Sequence, residues 1–158
     1  MGCDIHAYIE SQPHKKDHPD YWWLDAELHV LRDYTMFGIL AGVRGGVPLY
    51  APRGWDKDSA TAMKYCLYIV DHDTDSEGFC SRREAEGWIK RGLSEMVGEN
   101  KVTGPDWHTP SWLIADELER VIISHKELRP EQNCCDWLAI LAFMKEIPTS
   151  RLVFWFDN

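Results

Sequence analysis

Polar and apolar positions alternate over the first ten residues. In the stretch CDIHAYIE, Cys3, Ile5, Ala7 and Ile9 share one face of an extended chain, and Asp4, His6, Tyr8 and Glu10 share the other. This period of two predicts a strand over residues 3–10, with one face for the core and one for chemistry or solvent. The polar loop SQPHKKDHPD follows, and YWWL from Tyr21 predicts a short second strand that returns beside the first as a long-looped hairpin. At the far end, SRLVFWFDN is dense in β-branched and aromatic residues. It predicts a central strand, buried on both faces and paired with the first.

Between these strands the spacing turns helical. Asp33 is placed to cap a helix through Tyr34, Phe37, Leu40 and Ala41 that ends at the glycines of VRGGVP. Asp58 caps a second predicted helix from Ser59 to about Val70, and a third runs from about Ser81 to Met96. Thr109 followed by Pro110 reads as a fourth helix start, because proline at the first helical position gives up a donor that had no partner. Ile114, Leu118, Val121 and Ile122 form its apolar stripe, with Asp116, Glu119 and Arg120 outward. A fifth helix, from Pro130 or Glu131 to about Glu146, carries Trp137, Leu138, Leu141 and Met144, and Pro148 stops it. The expected fold is α+β, a small sheet including the N- and C-terminal strands packed with about five helices. With 158 residues, 44% of them apolar, and no repeat or linker, residues 1–158 read as a single domain.

Composition narrows the function classes. A net charge of −9, from 17 basic and 26 acidic residues, opposes nonspecific attraction to a phosphate backbone, so no nucleic-acid partner is expected. The longest apolar runs, Trp137 to Met144 and Leu152 to Phe156, are too short to span a bilayer, and the first ten residues lack a basic segment followed by an apolar one. A cytoplasmic protein with no membrane association is the expectation. Met1-Gly2-Cys3 does not extend to a myristoylation pattern, since His6 stands where Ser or Thr is needed. Cys3, Cys66, Cys80, Cys134 and Cys135 are odd in number and contain no CxxC pair, so they read as reduced thiols that mostly pack the core.

MGCDIH, RDYTMFGILAGVRG, the PRGW and KDS segments, DWHTPSWL and the closing RLVFWFDN together resemble a group of short, uncharacterised bacteriophage and bacterial proteins. The resemblance implies a phage or prophage origin and the cytoplasm of a bacterial host cell as the location. It brings no established activity and no residue roles.

Candidate chemistry lies in three patterns. Asp4 and His6 offer a carboxylate and an imidazole from one strand face, and Asp106 and His108 repeat that spacing before the predicted fourth helix. Brought together, the four would suit zinc, manganese or iron, and with it phosphoester hydrolysis. The first pair resembles the opening Asp-x-His of metallophosphoesterases, but the later GD, GNH and GHxH signatures are absent. The plainer roles are a turn cap for Asp106, a helix-end hydrogen bond for His108 and a salt-bridged strand position for Asp4. Arg32, Arg44 and Arg53 are candidates for an anion pocket that orients phosphate.

The third pattern is DTDSEGFCSRRE, which fits a calcium loop. Asp73, Asp75 and Glu77 take the first, third and fifth positions, Gly78 the sharp turn, Phe79 a carbonyl ligand and Glu84 the last position. Glu77 is longer than the usual residue there and no second loop accompanies it, so a solvated acidic loop explains the same letters. Cys134-Cys135 has no histidine assigned beside it, and Ser59 with Asp58 lacks a GxSxG elbow. Trp22, Trp23, Trp55 and Trp107 sit near turns, where they fill the core or line a pocket or interface. Two functions follow as expectations: a phage-type accessory protein that binds a host protein or small-molecule ligand, or a small metal-dependent hydrolase of a phosphoester or nucleotide, using Zn, Mn or Ca.

Overall fold

In the computed structural model, residues 2–54, 56, 58–61, 94–97, 100–103 and 108–157 are described. Strand β1 (Asp4–Ser11) pairs antiparallel with β2 (Trp23–Leu28) on one side and with β6 (Ser150–Asp157) on the other. β6 in turn pairs antiparallel with β5 (His108–Ile114), so the strand order is β2-β1-β6-β5. β3 (Ser94–Val97) and β4 (Asn100–Thr103) form a separate antiparallel pair. Helices α1 (Tyr34–Ala41), α2 (Ala115–Leu128) and α3 (Cys135–Glu146) complete the described elements. The fold is α+β, and its N- and C-terminal strands are neighbours, in register from Asp4↔Asp157 to Ser11↔Ser150. The long-looped hairpin of β1 and β2 and the central position of β6 agree with the sequence pattern.

Alternation sets the layers. Ile5, Ala7 and Ile9 lie in register with Phe156, Phe154 and Leu152, and Ser111 and Leu113 continue that face onto β5. The core forms where this face meets Met36, Phe37 and Leu40 of α1, Leu118, Val121 and Ile122 of α2, and Trp137, Leu141 and Met144 of α3. The opposite face carries His6, Tyr8 and Glu10 with Trp155, Val153 and Arg151, and it is not the solvated face that its polarity predicts. Tyr8, Glu10, Trp155 and Arg151 are all buried, because chain on that side packs onto them.

Three helices, rather than about five, are present among the described residues. Of the predicted helix over 59–70 only Ser59, Ala60 and Thr61 fall within the description, and Ala60 and Thr61 are helical. Ser94 to Met96, expected to end a helix, belong to β3, and the rest of that segment lies outside the described residues. Thr109-Pro110 does not start a helix. Thr109 takes a left-handed φ of 52° at a register shift between His108 and Ser111, and Pro110 costs no ladder bond there because β5 is an edge strand in the sheet order. α2 begins instead at Ala115, where the Ile114 N–H donates to the Glu117 carboxylate (3.1 Å). α3 begins at Cys135, whose N–H is taken by Asn133 Oδ1 (3.0 Å), rather than at Pro130 or Glu131.

α1 follows its predicted caps. Asp33 Oδ1 accepts from the Met36 N–H (3.0 Å), and Gly42 closes the helix at φ 74°. Every residue from Met36 to Ala41 is buried, so this helix is apolar around its circumference. Gly38 meets Gly46 backbone to backbone, which returns the chain tightly across α1, and the Leu49 N–H donates to the Ile39 carbonyl (2.9 Å). Among the described residues no helix is long and apolar enough to cross a membrane.

Candidate functional site

Asp4 and His6 leave β1 on one face, as the alternation requires, yet they meet different partners. Arg32 grips Asp4 with both arms of its fork, Nε to Oδ1 at 2.8 Å and Nη2 to Oδ2 at 2.6 Å. His6 Nε2 lies 2.9 Å from Asp157 Oδ2, and the other oxygen of Asp157 accepts from the Asp4 N–H at 3.3 Å. Trp155 lies parallel to both the His6 and Tyr8 rings, with centroids 5.1 and 5.2 Å away. His108 stands in register with Phe156, whose partner in β1 is Ile5. The two histidines of the Asp-x-His segments therefore sit at the same end of the sheet on the strands flanking β6, with backbones about 10 Å apart at ordinary strand spacing. Asp106 and the side chain of His108 lie outside the described residues. Among the described residues, no group of three or more His, Cys, Asp or Glu side chains is arranged to hold a metal ion.

At the other end of that face is a buried charged centre that no sequence motif marks. Arg151, 1% exposed, directs Nε (3.0 Å) and Nη2 (2.8 Å) at Glu10 Oε2 and Nη1 (2.5 Å) at Asp56 Oδ2. Glu10, fully buried, uses Oε1 to accept from Ser59 Oγ and the Thr61 N–H, each at 2.6 Å. The Arg151 guanidinium lies 3.5 Å over the Trp22 ring and 5.5 Å from that of Trp112, and Arg53 lies 4.2 Å over Trp112. Both Glu10 oxygens are saturated by protein donors. This makes the centre a clamp that ties Asp56, Ser59 and Thr61 to the sheet, since buried charges persist where every lone pair and proton is matched. Part of its signal was in the sequence: Arg151 stands in a dense apolar strand expected to be buried on both faces, where a guanidinium needs a carboxylate partner.

The anion candidates are distributed rather than convergent. Arg32 is held by Asp4, and Arg53 is forked onto Glu117 while also donating to the Trp112 carbonyl at 3.1 Å. Burial raises the Glu117 pKa, but the Arg53 hydrogen bonds and the Ile114 N–H outweigh it and hold the carboxyl below its ordinary value. Arg44 lies 5.5 Å over the Tyr34 ring, at the rim of an open groove of about 510 Å³. Tyr34, Ile39, Val43, Gly46, Val47 and Leu128 line this groove, which runs between α1, the turn after it and the end of α2. Val47 is 84% exposed and Leu128 64%, so the apolar rim stands in solvent.

Beneath the groove a buried pair joins its two helices. His125 Nε2 of α2 lies 2.8 Å from Asp33 Oδ2, the cap of α1, in a close contact without hydrogen-bond alignment; its Nδ1 finds no hydrogen-bond partner among the described residues. His125 continues the Leu118, Val121 and Ile122 stripe at helical spacing, and that spacing is the signal that would have placed it inside.

Cys3 and Cys134 are free and buried, and Cys135 is free and exposed, whereas Cys66 and Cys80 lie outside the described residues. Burial pushes the Cys3 thiol pKa up, with nearby Arg44 opposing, which suits packing rather than nucleophilic chemistry. Ser59 accordingly serves Glu10 rather than a triad. Trp23 is half exposed and meets Tyr21 edge to face at 5.7 Å; Trp55 and Trp107 lie outside the described residues, as does the whole calcium-loop pattern of Asp73, Asp75, Glu77, Phe79 and Glu84. No protein-family model, no curated protein and no solved structure matches this chain.

Proposed function

We propose that this chain is a phage-type accessory protein that binds a host protein or small ligand through the groove between α1, residues 42–47 and the end of α2. The carrying observation is the solvated apolar rim of Val47 and Leu128 around a hollow of about 510 Å³, with Arg44 beside it. The volume falls in the range of ligand sites. The buried Glu10–Arg151 centre supports the same reading by contrast, since its polar groups are engaged with one another. A photo-crosslinking residue at position 47, compared with one at position 16 in the distant β1–β2 loop, tests it in host extract. Selective capture at 47, reproduced with the purified partner and weakened by Val47→Asp, is the expected result. Equal capture at both positions overturns the proposal.

A second reading, a small metal-dependent hydrolase of a phosphoester or nucleotide, starts from the register, which brings the backbones of His6 and His108 to one end of the sheet but pairs His108 with Phe156 of the core face and His6 with Trp155 of the other. In that reading Zn or Mn is held by His6 and His108 with Asp4 and Asp106, and Arg32 orients phosphate. Elemental analysis of untagged protein, with melts in EDTA, zinc, manganese and calcium, separates the outcomes. Stoichiometric metal lost in His6→Ala and His108→Ala supports it, and a metal-free protein with unchanged melts sinks it. Calcium stabilisation removed by Glu84→Gln would place the ion at the acidic loop instead.

A further inference from the structure

The outer flank of the α2–α3 hairpin is apolar where solvent reaches it. α2 leads into α3 through residues 129–134, and the contact from Lys145 Nζ to Glu119 Oε1 (2.7 Å) joins their far ends, so the two helices run antiparallel. Trp137, Ile140, Leu141 and Met144 turn one side of α3 to the core, and the opposite side presents Leu138, Ala139, Ala142 and Phe143 to solvent. Leu138 and Ala142 share the side of α3 that carries Lys145, and the Glu119–Lys145 level sets Ile123 of α2 beside them. Leu138, Phe143 and Ile123 are 39%, 43% and 51% exposed, and none of these residues lines the groove.

We propose that this flank binds the same flank of a second copy of the chain across a two-fold axis, with the helices antiparallel. The order of side chains along α3 selects that occupant, because it is the same from either end: large, small, small, large at 138, 139, 142 and 143. Reversing the helix about its middle sets Ala139 level with Ala142 of the second copy and Leu138 level with Phe143. The small pairs let the two backbones approach, and the large ones close over the seam. A two-fold contact demands this self-complementarity of a single patch.

The charges of α2 obey the same reversal. Turned about the level of Ile123, Arg120 comes opposite Glu127 of the second copy and Glu127 opposite Arg120, two pairs of opposite sign. Arg120 also acts on Glu117, whose carboxylate Arg53 forks, and Lys145 keeps Glu119, with Asp116 and Lys126 at the borders of the flank. Against these stands one like-charge approach at each end of the α3 pair, Asp136 near Glu146 of the second copy. The net charge of −9 on each copy adds a repulsion that is screened beyond about 8 Å at physiological salt. Two helices a side reach the low end of specific interfaces, about 1,200 Å² in total, so the dimer is a micromolar one.

The experiment is sedimentation velocity of the full chain from about 1 to 300 μM, kept reduced so that the exposed Cys135 forms no cross-link. The mean mass is expected to rise from that of the monomer toward twice it. Ala139→Glu, at an exposed position, should keep the far-UV spectrum and hold the chain monomeric. Arg120→Glu should weaken the dimer about tenfold, and adding Glu127→Arg should restore it to within about threefold. Glu146→Gln should tighten it. A chain that stays monomeric throughout overturns the proposal, as does a dimer indifferent to Ala139→Glu or a charge swap that restores nothing. A photo-crosslinker at position 142 that captures only a different protein in host extract assigns the flank to that partner and equally overturns it.

Discussion

Arg151 spends two of its donors on one oxygen of Glu10, and in doing so joins the middle strand β6 to β1 and, through Ser59 and Thr61 on the other oxygen, to the chain that covers them. Cutting one side of such a buried pair strands the other. Glu10→Ala is expected to cost about 3–5 kcal/mol, read as the shift in urea midpoint, while Glu10→Leu with Arg151→Met recovers most of it because no charge is left unpaired. A loss below about 1 kcal/mol for Glu10→Ala would show that water or a neighbour replaces the carboxylate.

The Glu117–Arg53 pair sets an acid limb of stability. Because the Glu117 carboxyl is held below its ordinary value in the folded protein, its contribution is present above the unfolded pKa of about 4.3 and is lost as pH falls through the lower folded value. Thermal melts between about pH 6 and pH 3 should therefore decline less steeply in Glu117→Gln than in the wild type. Parallel curves would remove the pair from this role.

Gly46 can be tested against Gly45. A Cβ at Gly46 would overlap the Cα of Gly38, so Gly46→Ala should cost about 1–3 kcal/mol and move the α1 amides in NMR. Gly45→Ala meets open space and is penalised by its positive φ alone, about 1–2 kcal/mol, with the α1 amides undisturbed.

Asp33 has two tasks, capping α1 and facing His125. Asp33→Ser preserves the cap and removes the His125 contact, whereas Asp33→Ala removes both. The difference between the two in chemical denaturation should be about 1 kcal/mol, the ordinary worth of a cap. Equal losses would assign the effect to His125 instead.

Much of the architecture was legible because it depends on neighbours along the chain. The alternation over residues 3–10, the apolar density of 150–157, and the Asp33 and Gly42 caps each act within a few residues. The start of α2 was misjudged for the opposite reason: a proline that would suit a first helical turn also suits a bulged edge strand, and the choice falls to the pairing of β5 with β6. Glu10 shows the same limit. Its place on the polar face was readable, but whether that face met water or chain was not.

What the sequence determined by itself is the two terminal strands with their alternating faces, the capped helix between Asp33 and Gly42 and the apolar stripe of α2, since period, caps and turn residues are local physics. The tertiary structure decided the pairings: Asp4 with Arg32 rather than with His6, Glu10 with Arg151 from the opposite end of the chain, and Arg44 at an apolar groove apart from Arg53. Those choices are settled by register and packing between distant segments, where the drive to match every buried charge selects among partners that no local spacing distinguishes.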